Sequence, residues 1–299
     1  MIAWQIAREL QPVEARERLK LILGCLLYPG PTRRWLSYLR ADRTLWQQAC
    51  RFPQFVTRIY RPYGVRHLTC RQRVALMIDH YTALQARGLR ALLEASVDAP
   101  APLVTLTTRD QRPADLRLVS VHDGHREGEA HLQLHWEGQR LYSLSFLLQA
   151  NADGFALLVT RLQGAQIPDA RAMMRLATKG LHGLRPAALM LHAARQVAHS
   201  MGCDTVLLLP QRLRVALNPA RRRKMSSHLD ALWLEMGALR GQDGLFRLPA
   251  GADAPRDLAT LPSNKRAEAR RRDALLAQCL AGIEQAIECL RTGKSPTSA

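Results

Sequence analysis

The chain has 299 residues, 47% of them hydrophobic, and carries a net charge of +18. That length can bury a full core, while no apolar run approaches the roughly 20 residues a membrane-spanning helix needs. Six cysteines are scattered without a C-x-x-C pair, so neither a disulfide frame nor a cysteine zinc site is expected.

The charge is uneven. Lys plus Arg stand against Asp plus Glu as 16 to 7 over residues 1–100, 11 to 9 over 101–210 and 16 to 9 over 211–299. Basic flanks around a near-neutral middle point to anionic partners, either a membrane surface or an anionic ligand. Nucleic acid is the weaker expectation. The runs Arg221-Arg222-Arg223-Lys224 and Arg270-Arg271-Arg272 carry no interleaved aromatics, which suits solvated helix faces better than a nucleic-acid groove. The N-terminus mixes Glu9, Glu14 and Glu17 with its arginines and lacks a signal-peptide pattern, so a cytoplasmic location is expected.

Residues 1–97 read as a helical region. Residues 13–27 mix charged and apolar positions, Pro31-Thr32 opens a second helix carrying Trp35, Leu36, Leu39, Leu45 and Trp46, and residues 71–93 hold Val74, Met77, Tyr81, Leu84 and Leu92 at helical spacing. A proline-rich junction at 98–102 opens an α+β domain over 98–299. Three antiparallel strands are expected at 130–137, 140–149 and 154–163, separated by turn compositions at 137–139 and 151–154. Strict alternation places Leu132, Leu134 and Trp136 on one face and His131, Gln133 and His135 on the other. Pro186 suits the first position of a helix and Gly202 the position past its end, with Leu189, Met190, Ala193, Val197 and Met201 as its apolar stripe and Arg195 and His199 off it. Residues 206–209 follow as a short buried strand, then helices near 227–237 and 264–290. The fold class is α+β: an N-terminal helical region, then a mostly antiparallel sheet with covering helices.

Two groups of residues could hold an anion. In "KGLHGLRP", Gly180 and Gly183 free the backbone, Lys179, His182 and Arg185 bring charge, and the next helix points its positive end there. The competing reading is a well-capped helix start with Arg185 paired to a local acid. The second group is Arg161 and Gly164. Acetyltransferases of the GNAT type place Q/R-x-x-G-x-G/A after a long strand, where loop N–H groups hold the coenzyme A pyrophosphate; Arg161 and Gly164 fit, and Gln166 departs from the last position. With the strand order, this makes a GNAT-like sheet the expected architecture and acyl-CoA the cofactor it implies. A metal is not expected: His131 and His135 share a strand face but lie about 13 Å apart by rise, and His122, Asp123 and His125 complete no ligand set.

Seven blocks resemble the VirK/YbjX family of Gram-negative bacteria, in order: "HLTCRQRVALMIDHY", "GEAHLQLHWEGQRLYSLSF", "RLQGA", "TKGLHGLRP", "LDALWLEMG", "GLFRLP" and "LPSNKRAEARRR". Ala187, Leu229, Leu232 and Ala269 depart from the family's usual Lys or aromatic residues. The resemblance implies a role in virulence, envelope integrity or antimicrobial-peptide resistance, acting near lipid-modifying machinery at the inner membrane. It carries no settled chemistry. An acyl-CoA-dependent acyltransferase is the enzymatic alternative.

Overall fold

The computed structural model describes residues 15–95, 99–121, 125–152, 154–215, 229–254 and 256–293. The basic run at 221–224, along with His122 and Asp123, lies outside them.

Helices α1 (Ala15–Leu27), α2 (Pro29–Ala41), α3 (Arg43–Arg51), α4 (Pro53–Thr57) and α5 (Cys70–Ala86) form the N-terminal region. The single helix expected across Trp35 and Trp46 is two. Asp42 breaks it by taking an extended backbone and accepting the free amides of Thr44 and Leu45 at 2.9 and 3.1 Å, which ends α2 and caps α3. A capping box between Thr69 and Gln72 starts α5.

Eight strands follow in one sheet of order β1-β2-β3-β4-β5-β6-β8-β7. They are β1 (Ala101–Thr107), β2 (Pro113–Ser120), β3 (Ala130–Trp136), β4 (Gln139–Asn151), β5 (Gly154–Gly164), β6 (Thr205–Leu208), β7 (Leu239–Arg240) and β8 (Phe246–Pro249). All pairs are antiparallel except β5 with β6. The expected meander is β3 to β5; β1, β2, β7 and β8 extend it on both sides. Helices α6 (Ala170–Gly180) and α7 (Pro186–Ser200) link β5 to β6, α8 (Leu229–Glu235) precedes β7, and α9 (Ser263–Thr292) closes the chain.

The side chain of Trp136 fills the space a Cβ at Gly180 would occupy, so the Leu132, Leu134 and Trp136 face is the one that α6 and α7 cover. The alternation holds, but the other face is not wet. His131 and Gln133 are buried too, His131 with its ring edge-on to His125 and Gln133 hydrogen-bonded to His135 Nε2 at 3.0 Å. Arg195 departs from expectation as well. It is enclosed, donating to Pro249 O at 2.9 Å and pairing with Asp253 at 2.6 Å, because the segment after β8 wraps the back of α7.

One buried ionic cluster joins helices to sheet. Arg58 and Glu129 have side chains 0% exposed and pair at 2.8 Å; Arg58 also donates to Val121 O, and Glu129 accepts the hydroxyls of Tyr63 and Tyr81. Burial opposes the Arg58 charge, but Glu129 together with Tyr63 and Tyr81 outweighs it and holds the pKa above an arginine's ordinary value. Burial first, and Glu129 second, push the Tyr63 and Tyr81 phenols well above their usual 10.

Glu129→Ala leaves the Arg58 charge buried and uncompensated, a loss of about 3–5 kcal/mol against a typical domain stability of about 5–15. The expected outcome is an insoluble protein or one whose urea midpoint falls by a third or more; an unchanged midpoint would contradict the cluster's role. Tyr38, Tyr60 and Tyr142 are raised by burial like Tyr63 and Tyr81. Folded pKa values above unfolded ones give stability that is whole below about pH 10 and lost as pH rises beyond it. Phenolate absorbance from these five tyrosines is therefore expected to appear with unfolding rather than before it in an alkaline titration.

Candidate functional site

Lys179 and Gly180 are not loop residues: they end α6, Lys179 exposed and Gly180 sealed against Trp136, with Gly180 O accepting Arg109 N at 2.9 Å. The chain then turns through two left-handed residues, His182 at φ 52° and Gly183 at φ 78°, closed by Gly183 N donating to Thr178 O at 2.8 Å. A Cβ at Gly183 would meet nothing within 4 Å, so its glycine serves the backbone conformation. His182 Nδ1 lies 3.8 Å from Glu268. Arg185 takes the N-cap position of α7 and pairs with Glu235 of α8, both half-exposed.

Arg161 and Gly164 part company. On β5 they point to opposite faces, as the register pairs Tyr142 with Gly164 and Ser145 with Arg161. Gly164 lies under the Tyr142 ring and Met174 on the α6 face, and the Arg185 charge acts on the Tyr142 phenol, lowering a pKa that burial raises. Gly164, Tyr142, Arg185 and Glu235 thus form one neighbourhood, with Lys179 outside it on the last turn of α6.

The opposite face carries a cross-strand row of His131, Ser145 and Arg161. Between Ser145 and Phe146 the register shifts, which bulges β5 at Thr160; its hydroxyl donates to Ser145 O at 3.1 Å and to Glu127 O. Arg161 pairs with Glu127 at 2.5 Å, and Arg214 approaches the same carboxylate at 3.9 Å. Burial pulls the Arg214 pKa down, Glu127 restores part of it, and Arg161 adds to the fall. Ser145 is 0% exposed, and its Oγ, Arg161 Nε and Arg214 Nε are buried without a hydrogen-bond partner.

This row borders an opening in the sheet. β5 and β6 pair from Leu157–Val206 to Val159–Leu208, and a last bond runs from Leu209 N to Val159 O at 2.9 Å. Residues 160–164 of β5 continue with β4 on one side and no strand on the other among the described residues. The β6 side instead turns away through Pro210 and a 3-10 turn at Gln211–Leu213.

Residues 11–285 match the family model described as "Protein of unknown function (DUF535)". The chain belongs to this family. The DUF535 match spans the helical region, the sheet and most of α9. A relative named "Uncharacterized protein YbjX" from Escherichia coli K12 is 27% identical to this DUF535 chain, covering 87% of it and 80% of the relative. An uncharacterized Haemophilus influenzae protein is 24% identical over 91% of each chain. Among solved structures, a cAMP-binding acyltransferase from Mycobacterium smegmatis aligns with 73% of this chain and 63% of its own length, at 14% identity and a TM-score of 0.26, too low to carry an argument. Of the departures from the family pattern, Leu229 and Ala269 are buried, so they alter packing.

Glu127, Ser145 and Arg214 were not singled out by the sequence. Glu127 carries the one local signal, an acid in "EGE" just ahead of an alternating strand. The half-exposed Arg185–Glu235 pair supports a measurable statement: Arg185→Ala should cost no more than about 1 kcal/mol, and a double-mutant cycle with Glu235→Ala should give a coupling of the same size. A coupling several times larger would make the pair a structural pin of the α7 start.

Proposed function

We propose that this protein is an acyl-CoA-dependent acyltransferase whose thioester-bearing arm lies in the opening between β5 and β6. The observation that carries the reading is the parting of the sheet's parallel pair at the Thr160 bulge. A pantetheine arm is an extended chain of amide donors and acceptors, and it can take up the unpaired edge of residues 160–164 as an added strand does. Threading the opening also explains why the two expected contacts face opposite ways. The arm would run from the α6 face, where exposed Arg171, Arg175 and Lys179 recur every fourth residue and suit phosphates, to the polar face of Ser145 and Arg161.

Partnerless polar atoms at Ser145, Arg161 and Arg214 suit a ligand rich in oxygen acceptors. The loop departs from the acetyltransferase pattern at Gln166, and Ala165 N is already bound to Leu141 O at 2.8 Å, so pyrophosphate recognition would rest more on side chains than on loop amides. In the reaction the acyl carbon leaves the thioester sulfur for an acceptor nitrogen or oxygen, and the acceptor's proton restores the thiol of free coenzyme A. The setting implied by the family resemblance, envelope integrity and antimicrobial-peptide resistance, fits an acceptor in lipid-modifying chemistry.

Acetyl- to palmitoyl-CoA should raise the melting temperature, by the equivalent of about 2.7 kcal/mol at a hundred times Kd. Ser145→Ala removes a buried hydroxyl that has no partner, so it should melt at or above the wild-type temperature while binding acyl-CoA about tenfold more weakly. A panel without any shift, or a Ser145→Ala variant that binds undiminished, overturns the reading.

A further inference from the structure

Eight large apolar side chains are exposed among the described residues, and five of them lie together: Leu19 at 57%, Leu23 at 47%, Leu26 at 73%, Leu27 at 70% and Tyr28 at 40%. The four leucines fall within an arc of roughly 100° on α1, a continuous apolar stripe. The opposite side of the helix is the docked one, with Leu21, Gly24 and Glu17 buried. A soluble chain rarely leaves such a stripe bare without a partner for it.

The charges around it are of one sign. Residues 15–41 contain Arg16, Arg18, Lys20, Arg33, Arg34 and Arg40 against a single acid, Glu17. That acid is buried and committed to Lys20 and Thr57. The stripe also ends at a corner rather than in a groove. α1 and α2 are joined by Tyr28 alone, so Leu26, Leu27 and Tyr28 form the tip, with exposed Arg33 and Arg34 one turn beyond. Tyr28 is held there by stacking on Tyr60, with centroids 6.3 Å apart.

We infer that the α1–α2 corner docks on an anionic lipid surface, the leucines entering the headgroup boundary and the arginines meeting lipid phosphates. A convex apolar ridge with a cationic rim is the pattern of an interfacial helix. A second copy is the poorer occupant, because apposing two such corners sets like charge against like charge. The inference is independent of the acyltransferase reading: the corner contains none of the residues at the β5–β6 opening.

The test is sedimentation of the full chain with vesicles. Phosphatidylglycerol-containing vesicles should bind it at least ~10-fold better than pure phosphatidylcholine, and molar salt should release it as the screening length shrinks to about 3 Å. Leu26→Glu combined with Leu27→Glu should lower the partition at least ~10-fold with an unchanged melting temperature, since both positions are exposed. Arg33→Ser with Arg34→Ser should weaken binding to the anionic vesicles only. Absence of wild-type binding overturns the inference, as does a leucine pair variant that binds normally. So does light scattering that finds a dimer which the leucine variant dissociates, since the stripe would then belong to a second copy.

Discussion

A carboxylate that water does not reach must be answered by donors inside the protein, and Glu129 is such a group. Its partners come from the turn after α4, from the segment before α5 and from α5 itself. None can be removed without stranding a charge or a hydroxyl in a medium that does not solvate it. Three points of the helical region must therefore close on a residue 48 to 71 positions further along the chain, which fixes that region against the start of β3. The consequence reaches the surface. Gly128 lies so close to Phe146 that a Cβ would sit 2.8 Å from its carbonyl oxygen, and one residue further Glu127 reaches Arg161 and Arg214. A core interaction thus sets the position of the polar site.

The sheet uses its faces differently. One is filled with leucines and Trp136 under α6 and α7; the other buries His131, Gln133 and Ser145 and sets the partly buried Arg161 beside Ser145. Polar groups in a dry setting interact strongly when paired and are costly when not. The partnerless atoms of Ser145, Arg161 and Arg214 beside Thr160 therefore mark a place where the fold is not satisfied by itself.

Much of the architecture was legible where the pattern was strong. The alternation in residues 130–137, the glycine turns and the Pro186 to Gly202 bracket each reflect a local backbone constraint. β1 and β2 were not legible, because Pro102 and Pro113 fall inside strands that a proline reading takes for loop. α6 was hidden for a related reason: Lys179 and Gly180 look like the start of a glycine loop, and only the packing of Trp136 shows why glycine ends that helix. Of the candidate site, the strand carrying Arg161 was readable. The partner Glu127 was not, since it arrives through a buried cluster assembled from residues 71 positions apart. The split of Arg161 and Gly164 between faces follows from their three-residue spacing once β5 is known to run unbroken through Gly164, whereas the Thr160 bulge just before them leaves no mark in hydrophobic pattern.

An open sheet of eight strands is prone to recruiting foreign strands at its margins, the first step of amyloid-like aggregation. Here the margins are closed. β1 carries Pro102, which has no amide to donate, and is kinked by a register shift between Pro102 and Val104. β7 is two residues long. Where β4 outruns β3, Asp79 and His80 of α5 accept the amides of Ala150 and Leu148. Among the described residues, an unclaimed run of strand backbone remains beside β5 at 160–164. The same devices that deny foreign strands a hold on the outer edges are missing at this inner seam, which leaves backbone donors and acceptors of β5 open to pairing inside the sheet itself.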